Sequence, residues 1–314
     1  MRARDGDPAV GGVMAQHTSH RGVVLGGTGG TWSIFTDGGE TLAATLRGRV
    51  KHGVDEKLAV GDDVEVERSP RGDSWVISGI LPRRSKLARR APGGAHGERI
   101  VAANIDQVLV VFAAAQPEPH PRMLDRFLVI AAANDLPAHV VINKIDLAPD
   151  ARARFAEYVK IGYALEFTSV KQKLGLESLR ESLAMRVSAL SGPSGVGKSS
   201  LLNALYPGLN LRVGEISHSV NKGRHTTVGA LMHPLPGGGF VADTPGLREV
   251  GLWNLHADEL DRCFLEFRPF LGQCRFGDCR HVREPECAVR AAVQKFEVTE
   301  ARYESYRKLY SELS

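Results

Sequence analysis

The sequence predicts three domains: an N-terminal β-barrel, a central α/β domain with a mostly parallel sheet, and a short helical C-terminal domain. Three observations predict this order. Short strand-like segments separated by Gly- and Asp-containing turns fill residues 21–80, strands and helices alternate over 100–252, and three cysteines and a histidine crowd into 274–287. Alternating strands and helices are typical of a parallel sheet with right-handed crossovers. A chain of 314 residues is long enough for two or three domains.

The first region has the strand spacing of an OB-fold, so we place an OB-fold domain with a basic linker at 21–95. Its strand-like segments are 22–25, 31–35, 41–46, 63–67 and 75–78. OB-folds often bind oligonucleotides, although a small barrel without that role has the same pattern. The run 82–91 holds five cations and no acidic residue. Such a run suits phosphate contacts and favours RNA, although a solvated linker would have the same composition.

The central region, 96–252, is expected to bind a nucleotide where its parallel strands end. The predicted strands are 107–114, 138–142, 162–167, 186–190 and 239–242, and the predicted helices are 122–134, 151–160, 174–185 and one from 199.

A phosphate-binding loop, GPSGVGKS, occupies 192–199 between a short apolar strand and a helix. Its backbone N–H groups and the helix N-terminus favour a polyphosphate. We expect Lys198 to reach the β- and γ-phosphates and the Ser199 hydroxyl to ligate Mg²⁺. The residues predicted to contact the nucleotide here are Gly192, Pro193, Ser194, Gly195, Val196, Gly197, Lys198, Ser199 and Ser200.

The sequence Asp-Thr-Pro-Gly at 243–246 follows another buried strand. Asp243 is predicted to hold Mg²⁺ through water, and the Gly246 N–H can approach the γ-phosphate because glycine has no Cβ. Before it, the polar segment 217–227 is predicted to be a mobile switch. Thr227, or its neighbour Thr226, would present a hydroxyl to Mg²⁺ when the γ-phosphate is bound.

The sequence Asn-Lys-Ile-Asp at 143–146 closes an apolar strand. Asp146 would accept two hydrogen bonds from guanine, and adenine would leave this carboxylate unpaired. Asn143 would read the N7/O6 edge, and the Lys144 stem would cover the base. The segment 168–170, with Ser169 at its centre, is expected to offer a backbone N–H to guanine O6.

These motifs occur in a rotated order. In an ordinary GTPase the phosphate loop comes first, Asp-x-x-Gly second and Asn-Lys-x-Asp third, whereas here Asn-Lys-Ile-Asp precedes the loop. The order indicates a circularly permuted GTPase. Position 247 is leucine, so no glutamine follows Asp-Thr-Pro-Gly to orient the attacking water. We therefore predict slow intrinsic hydrolysis that a partner accelerates.

The C-terminal region, 253–314, contains the pattern Cys274-x4-Cys279-x-His281-x5-Cys287. Three thiolates and one imidazole make a closed tetrahedral zinc site, which is structural rather than catalytic. A disulfide is the alternative. Cys263 is predicted to be a buried apolar residue, and the tyrosines at 303, 306 and 310 are predicted to pack in the core rather than to stack on bases.

Net charge is +4, which is only mildly basic. No apolar stretch is long enough to span a membrane, and residues 1–20 lack the apolar core of a signal peptide. We expect a disordered extension at 1–20, a cytoplasmic monomer, and no membrane partner.

Together the barrel, the permuted GTPase motifs and the Cys-x4-Cys-x-His-x5-Cys pattern resemble the ribosome small subunit-dependent GTPase A family from about residue 21 onward. The resemblance implies GTP and GDP as ligands, Mg²⁺, one structural Zn²⁺, and rRNA contacts from the barrel and the zinc domain. It implies a GTP hydrolase that acts late in small-subunit maturation, is stimulated by that subunit, and is released according to its GTP or GDP state.

One position departs from this family. Some members carry a histidine directly after the tryptophan that follows Asp-x-x-Gly, whereas here Trp253 is followed by Asn254, and His256 comes later. We therefore assign no general base. Two other classes remain open: an RNA-binding scaffold with a vestigial nucleotide site, and a P-loop ATPase or kinase.

Overall fold

The computed structural model describes residues 19–48, 57–70, 72, 74–90, 98–211, 230–243 and 255–314. Most of the predicted N-terminal extension and the whole predicted switch lie outside these residues. So do Thr226, Thr227, Gly246, Leu247 and Asn254.

The N-terminal region is a five-stranded closed barrel with strand order β1-β2-β3-β5-β4, as an OB-fold requires. Its strands are β1 (Ser19–Thr28), β2 (Thr31–Thr36), β3 (Thr41–Leu46), β4 (Asp63–Arg68) and β5 (Trp75–Ile80). Strands β3 and β5 are parallel, and the other pairs are antiparallel. Alternate residues point inward, and Val24, Ile34 and Ile77 are fully buried. The predicted barrel is confirmed, with β1 beginning two residues before the expected boundary.

A hairpin joins the barrel to the sheet, where the sequence suggested only a basic linker. It consists of β6 (Lys86–Arg90) and β7 (Glu98–Ala103). Just before it, Arg83 forms a bidentate pair with the fully buried Asp62, at 2.5 and 2.8 Å. Arg84 donates to the Asp106 carboxylate at 2.8 Å. Two of the five cations expected to suit phosphate therefore form internal ion pairs, a tertiary contact that composition does not reveal.

The central sheet has the order β10-β9-β8-β11-β13-β12. Its strands are β8 (Gln107–Ala113), β9 (Ala138–Asn143), β10 (Ala164–Phe167), β11 (Val187–Ser191), β12 (Leu231–Pro234) and β13 (Phe240–Asp243). All pairs are parallel except β12 with β13. The mostly parallel sheet is confirmed, and β12 is an additional edge strand that the sequence did not predict. Every residue of β8 is buried, as expected for a strand covered on both faces.

Helices cover the two faces of this sheet. They are α1 (Pro121–Ala133), α2 (Ala151–Arg154), α3 (Ala156–Ile161), α4 (Leu176–Leu183) and α5 (Lys198–Leu205). Phe112 of β8 meets Phe127 of α1 edge-to-face on one side. On the other side, Val111 shares a core with Leu179 and Leu201. The single helix predicted at 151–160 is two short helices that divide at Phe155, which is buried.

The C-terminal region contains two 3₁₀ helices (Leu260–Cys263 and Leu265–Phe270), α6 (Ala288–Gln294) and α7 (Glu300–Leu313). Both of the first two elements are short 3₁₀ helices, and Pro269 removes a backbone donor within the second. Tyr303 and Tyr306 are 7% and 1% exposed, so both pack in the core as predicted. Within the described residues, no helix has the length and apolar character needed to cross a bilayer.

A buried arginine joins this region to the central sheet. The Arg302 side chain of α7 is 2% exposed, and its guanidinium binds both Glu266 oxygens, at 2.6 and 3.2 Å, and the Asp125 carboxylate of α1. Tyr158 donates to the same Asp125 oxygen at 2.8 Å. Burial alone would lower the pKa of Arg302, but the two carboxylates raise it above its ordinary value, so the group stays charged.

Replacing Arg302 with methionine should destabilise the protein strongly. Arg302→Met leaves Asp125 and Glu266 buried without their counter-ion, which costs about 3–5 kcal/mol. Arg307→Met is the matched control on the same helix, since Arg307 pairs with Glu304 and is 42% exposed, and we expect a loss below about 1 kcal/mol. Urea unfolding measures both. Equal losses for the two variants would contradict a buried charge network.

Candidate functional site

The predicted nucleotide motifs meet at one edge of the sheet. Strands β9, β11 and β13 end at Asn143, Ser191 and Asp243, and each motif begins at or directly after such a strand end. In the register, Leu190 of β11 lies beside Asp243 of β13. The carboxyl ends of parallel strands share one edge, where open α/β sheets bind their ligands. The motifs therefore meet at a single site although their order in the sequence is permuted.

The loop 192–197 can turn back sharply because glycine occupies two positions where a Cβ would collide with a neighbouring residue. Gly192 has φ +128°, and a Cβ there would lie 2.0 Å from the Val111 carbonyl oxygen. Gly197 has φ +95°, and a Cβ there would lie 2.6 Å from the Asn143 Nδ2 atom. Only glycine fits at either position.

Lys198 begins α5 and lies under this loop. Its ammonium donates to the carbonyl oxygens of Gly192 and Pro193, at 2.7 and 2.6 Å, and the residue is 8% exposed. Ser199 is also buried, whereas Ser194 and Gly195 at the loop tip are exposed. Val196 packs into the core and Ser200 is half-buried. The cation and the helix N-terminus thus lie at one point, a combination that favours an anion.

Asn143 connects its own motif to the loop. Its Nδ2 donates to the Val196 carbonyl oxygen at 3.0 Å, and its Oδ1 accepts from the Thr168 hydroxyl at 3.2 Å. The residue is 2% exposed. The sequence indicated only a contact with the base edge, and that contact stays a prediction. The structure adds a role in fixing the loop.

Lys144 reaches across the site to two backbone carbonyls. Its ammonium donates to the Gly195 oxygen at 2.7 Å and to the Gln116 oxygen. The segment 114–120, which joins β8 to α1, therefore borders the site, and Pro117 lies beside Gly195. Sequence reasoning missed this segment, although its position after a buried strand and its two prolines were signals of a loop at the binding edge.

Asp146 is held by a serine. The Ser169 hydroxyl donates to Asp146 Oδ1 at 2.6 Å and accepts from the Gln172 amide at 3.1 Å. The amides of Thr168 and Ser169 donate to the carbonyls of Ile142 and Leu174. Of the three amides predicted to serve guanine O6, this leaves Val170 as the candidate. Ser169 itself contacts the Asp146 carboxylate through its side chain.

Asp243 ends β13 and is half-buried. Asp243 and Ser199 are the residues of the predicted Mg²⁺ site that lie within the described residues. Hydroxyl and carboxylate oxygens are the type of ligand that Mg²⁺ takes, and it retains several waters. His233 of the neighbouring strand is half-buried, and burial lowers its pKa although the Asp243 carboxylate opposes that change.

The second site is the cluster of Cys274, Cys279, His281 and Cys287, whose ligand atoms all lie within 4.8 Å of one another. Cys274 and Cys287 sulfurs are 3.9 Å apart, and His281 Nδ1 lies 3.5 and 3.3 Å from them. Tetrahedral zinc bonded to sulfur and nitrogen at its usual distances places sulfur atoms about 3.8 Å apart, and sulfur and nitrogen about 3.5 Å apart. The cluster therefore fits zinc. All of its cysteines are free, which excludes the disulfide alternative in this structure.

Surrounding groups fix these ligands. His281 Nε2 lies 3.3 Å from an Asp261 oxygen, so the ring presents Nδ1 to the cluster. The Ala288 and Arg290 amides donate to the sulfurs of Cys274 and Cys287. Cys263 lies outside the cluster and is 4% exposed, as the sequence predicted. Burial raises the pKa of its thiol to about 12, so the group stays neutral.

The fold and the converging motifs define a circularly permuted GTPase with an N-terminal barrel and a C-terminal Cys3His cluster. Comparison with known families agrees, because a family model described as RsgA GTPase matches residues 80–253. The chain belongs to the RsgA GTPase family. It is accordingly a hydrolase that acts on GTP.

Similar proteins cover nearly the whole chain. The small ribosomal subunit biogenesis GTPase RsgA of Gemmatimonas aurantiaca is 60% identical and is matched over 94% of this chain and 98% of its own length. The protein of the same name from Chromohalobacter salexigens is 44% identical over 82% of this chain and 76% of its own length.

Two solved structures share the fold. YjeQ from Thermotoga maritima has a TM-score of 0.78 and 35% identity, covering 94% of this chain and 99% of its own. YloQ, described as a circularly permuted GTPase, has a TM-score of 0.75 and 28% identity over 96% of each chain.

Changing Asp146 should change base preference. Asp146→Asn replaces an acceptor with a donor-bearing amide, so we expect at least a tenfold loss of GTP affinity, about 1.4 kcal/mol, and a gain for xanthine nucleotides. The exposed Asp150→Asn is the control, because that side chain makes no capping hydrogen bond. Competition titrations with a fluorescent nucleotide measure both. Retained GTP preference in Asp146→Asn would refute the assignment.

Removing the metal should loosen only the C-terminal region. We expect one zinc per chain by elemental analysis, its loss in Cys287→Ser, and its retention in Cys263→Ala. Chelation should lower the unfolding temperature and speed hydrogen exchange over 272–290, since metal binding contributes folding free energy. Nucleotide binding should persist. Unfolding that is indifferent to chelator would contradict a structural zinc.

Proposed function

We propose that the chain binds GTP at the edge formed by β9, β11 and β13 and hydrolyses it there. The observation that carries this assignment is the bond from Asn143 Nδ2 to the Val196 carbonyl, which joins the guanine motif to the phosphate loop. The loop amides and Lys198 would hold the β- and γ-phosphates. Ser199, Asp243 and Thr227 would hold Mg²⁺, which neutralises charge on the phosphates, and the Gly246 amide would approach the γ-phosphate.

Guanine selectivity would come from Asp146, fixed by Ser169 at 2.6 Å. A carboxylate already held by a hydroxyl needs little reorganisation when the base arrives, and an adenine would leave it desolvated without donors. This argues against the ATPase or kinase alternative. The presence of Lys198, Ser199, Asp243 and Asp146 argues against a vestigial site, because the side chains that such a site needs for phosphate, Mg²⁺ and guanine are all in the sequence.

Hydrolysis is proposed to depend on a partner. The sequence has leucine at 247, where a water-orienting glutamine would follow Asp-Thr-Pro-Gly. A partner would therefore complete or order the site. The relatives' names supply its class, since they are called small ribosomal subunit biogenesis GTPases. We propose that this chain acts late in maturation of that subunit, is stimulated by it, and is released according to the GTP or GDP state.

The proposed domain boundaries are 21–95, 96–252 and 253–314. We propose rRNA contacts for the first of these domains, the barrel, and for the third, the Cys3His domain. A groove of about 630 Å³ supports the second contact. Its lining includes Arg280, Arg283, Arg307 and Lys308, together with Glu284 and Glu304. Cations clustered on one face suit phosphate. A cytoplasmic monomer that holds one structural zinc completes the proposal.

The deciding experiment measures GTP turnover by the purified protein alone, with small ribosomal subunits, and with large subunits. We expect slow turnover alone and at least a tenfold rise with small subunits only. ATP in place of GTP should give no comparable turnover. Equal turnover under all three conditions would remove the small subunit as the activator.

A further inference from the structure

Phe296 is exposed beyond what the fold explains. It lies in the turn between α6 and α7, and 91% of its surface is exposed. Val298, two residues further along the chain, is by contrast 1% exposed and belongs to the core. A large aromatic side chain held almost entirely in water is a feature of contact surfaces.

The backbone conformation of this residue is also unfavourable for a phenylalanine. Phe296 has φ +62°. Its amide donates to the Val293 carbonyl at 3.0 Å, and the Glu297 amide donates to the Ala292 carbonyl at 3.0 Å. This pair of bonds is the Schellman motif, which ends a helix with one residue in the left-handed region and strongly prefers glycine there.

The chain uses suitable residues in the same motif elsewhere. Gly162 ends α3 with φ +108°, and Asp135 follows α1 with φ +54°. Both positions have the paired bonds, from Gly162 and Tyr163 to the carbonyls of Val159 and Tyr158, and from Asp135 and Leu136 to those of Ala132 and Ala131. Glycine has no Cβ and aspartate tolerates this region, whereas phenylalanine gains nothing from it. Neither local conformation nor packing therefore accounts for Phe296.

The charges beside Phe296 indicate what it contacts. Glu297 and Glu300 are exposed, and Thr299 donates to the Glu157 carboxylate of α3. Within residues 295–300, the two carboxylates of Glu297 and Glu300 outnumber the one cation, Lys295. A negative surround opposes a phosphate backbone and complements a basic protein surface.

We infer that Phe296 is an anchor that inserts into an apolar pocket on a basic protein of the small ribosomal subunit. The inference rests on the proposed function, because that function supplies the subunit. The Schellman turn fixes the backbone that carries the ring, directly before Glu297 in the chain. Its rigidity limits the entropy lost on binding.

The test uses the full-length protein and purified small subunits, with apparent Kd measured by co-sedimentation with a GTP analogue. Phe296→Gly should bind at least tenfold more weakly, while its unfolding temperature equals or exceeds that of the wild type, because glycine relieves the left-handed strain. Asp135→Gly is the matched control in the same motif and should bind as the wild type does.

Two further variants identify the contact. Phe296→Leu keeps apolar volume without a ring, and Phe296→Trp keeps a stacking face. An apolar pocket predicts that leucine stays within threefold of the wild type. If leucine binds as weakly as glycine while tryptophan binds normally, the contact is base stacking and the inference is wrong. If Phe296→Gly binds small subunits as tightly as the wild type does, the inference is wrong and the proposed function is unaffected. A wild-type protein that does not bind small subunits overturns the proposed function, and the inference with it.

Discussion

The site depends on one constraint, which is that β9, β8, β11 and β13 run parallel and end at the same edge of the sheet. Each strand brings one part of the site to that edge, whatever the position of the strand in the sequence. The constraint is tight at Gly192, where the loop leaves β11 against the Val111 backbone and no Cβ fits. Because the sheet determines where the motifs meet, the chain can connect them in a rotated order and still build one nucleotide site.

The rotated order changes what is attached to the site. After Asp243 the chain continues toward the Cys3His domain, and Arg302 fixes that domain to α1, the helix that follows β8. The barrel packs at the β12 edge of the sheet, where Phe35 meets Phe240 edge-to-face and Gly26 lies against Leu231 of β12. Strand β12 directly follows the segment predicted to be the switch. Strand β12, which the barrel contacts, is an edge strand with a single sheet partner, whereas a buried charge network joins the C-terminal region to α1.

Most of the fold and the motifs could be predicted because they depend on residue types and their local spacing. The features that could not be predicted depend on contacts between residues far apart in the sequence. The strands of the barrel and sheet follow from apolar patterning, and the loop, the guanine motif and the Cys3His spacing follow from residue types at fixed separations. Arg83 illustrates the limit, because its basic neighbours suggested a phosphate contact while its partner Asp62 lies in the barrel. Lys144 illustrates another, since its contact with Gly195 joins residues far apart in the chain. Strand β12 has only four residues and ends in a proline, so its sequence does not predict a strand, and it is one because it pairs with β13.

The segment 255–287 has little regular backbone pairing. Side chains and, in our proposal, a metal hold its backbone in place instead. Its regular elements are short 3₁₀ helices, and His281 and Glu286 both have positive φ. The Glu284 carboxylate accepts from the amides of Arg280, Val282 and Arg283. Burial raises the pKa of Glu284, but these amides outweigh it and hold the pKa at about 2, so the carboxylate stays charged and its contribution to stability is lost only as pH falls toward that value. The sulfurs of Cys274 and Cys287 accept hydrogen bonds from further backbone amides, so the cluster orders a segment that has no regular backbone pairing. A segment built this way keeps its surface side chains free for contact, which is why cationic residues such as Arg280 and Arg283 can line a groove beside the metal ligands.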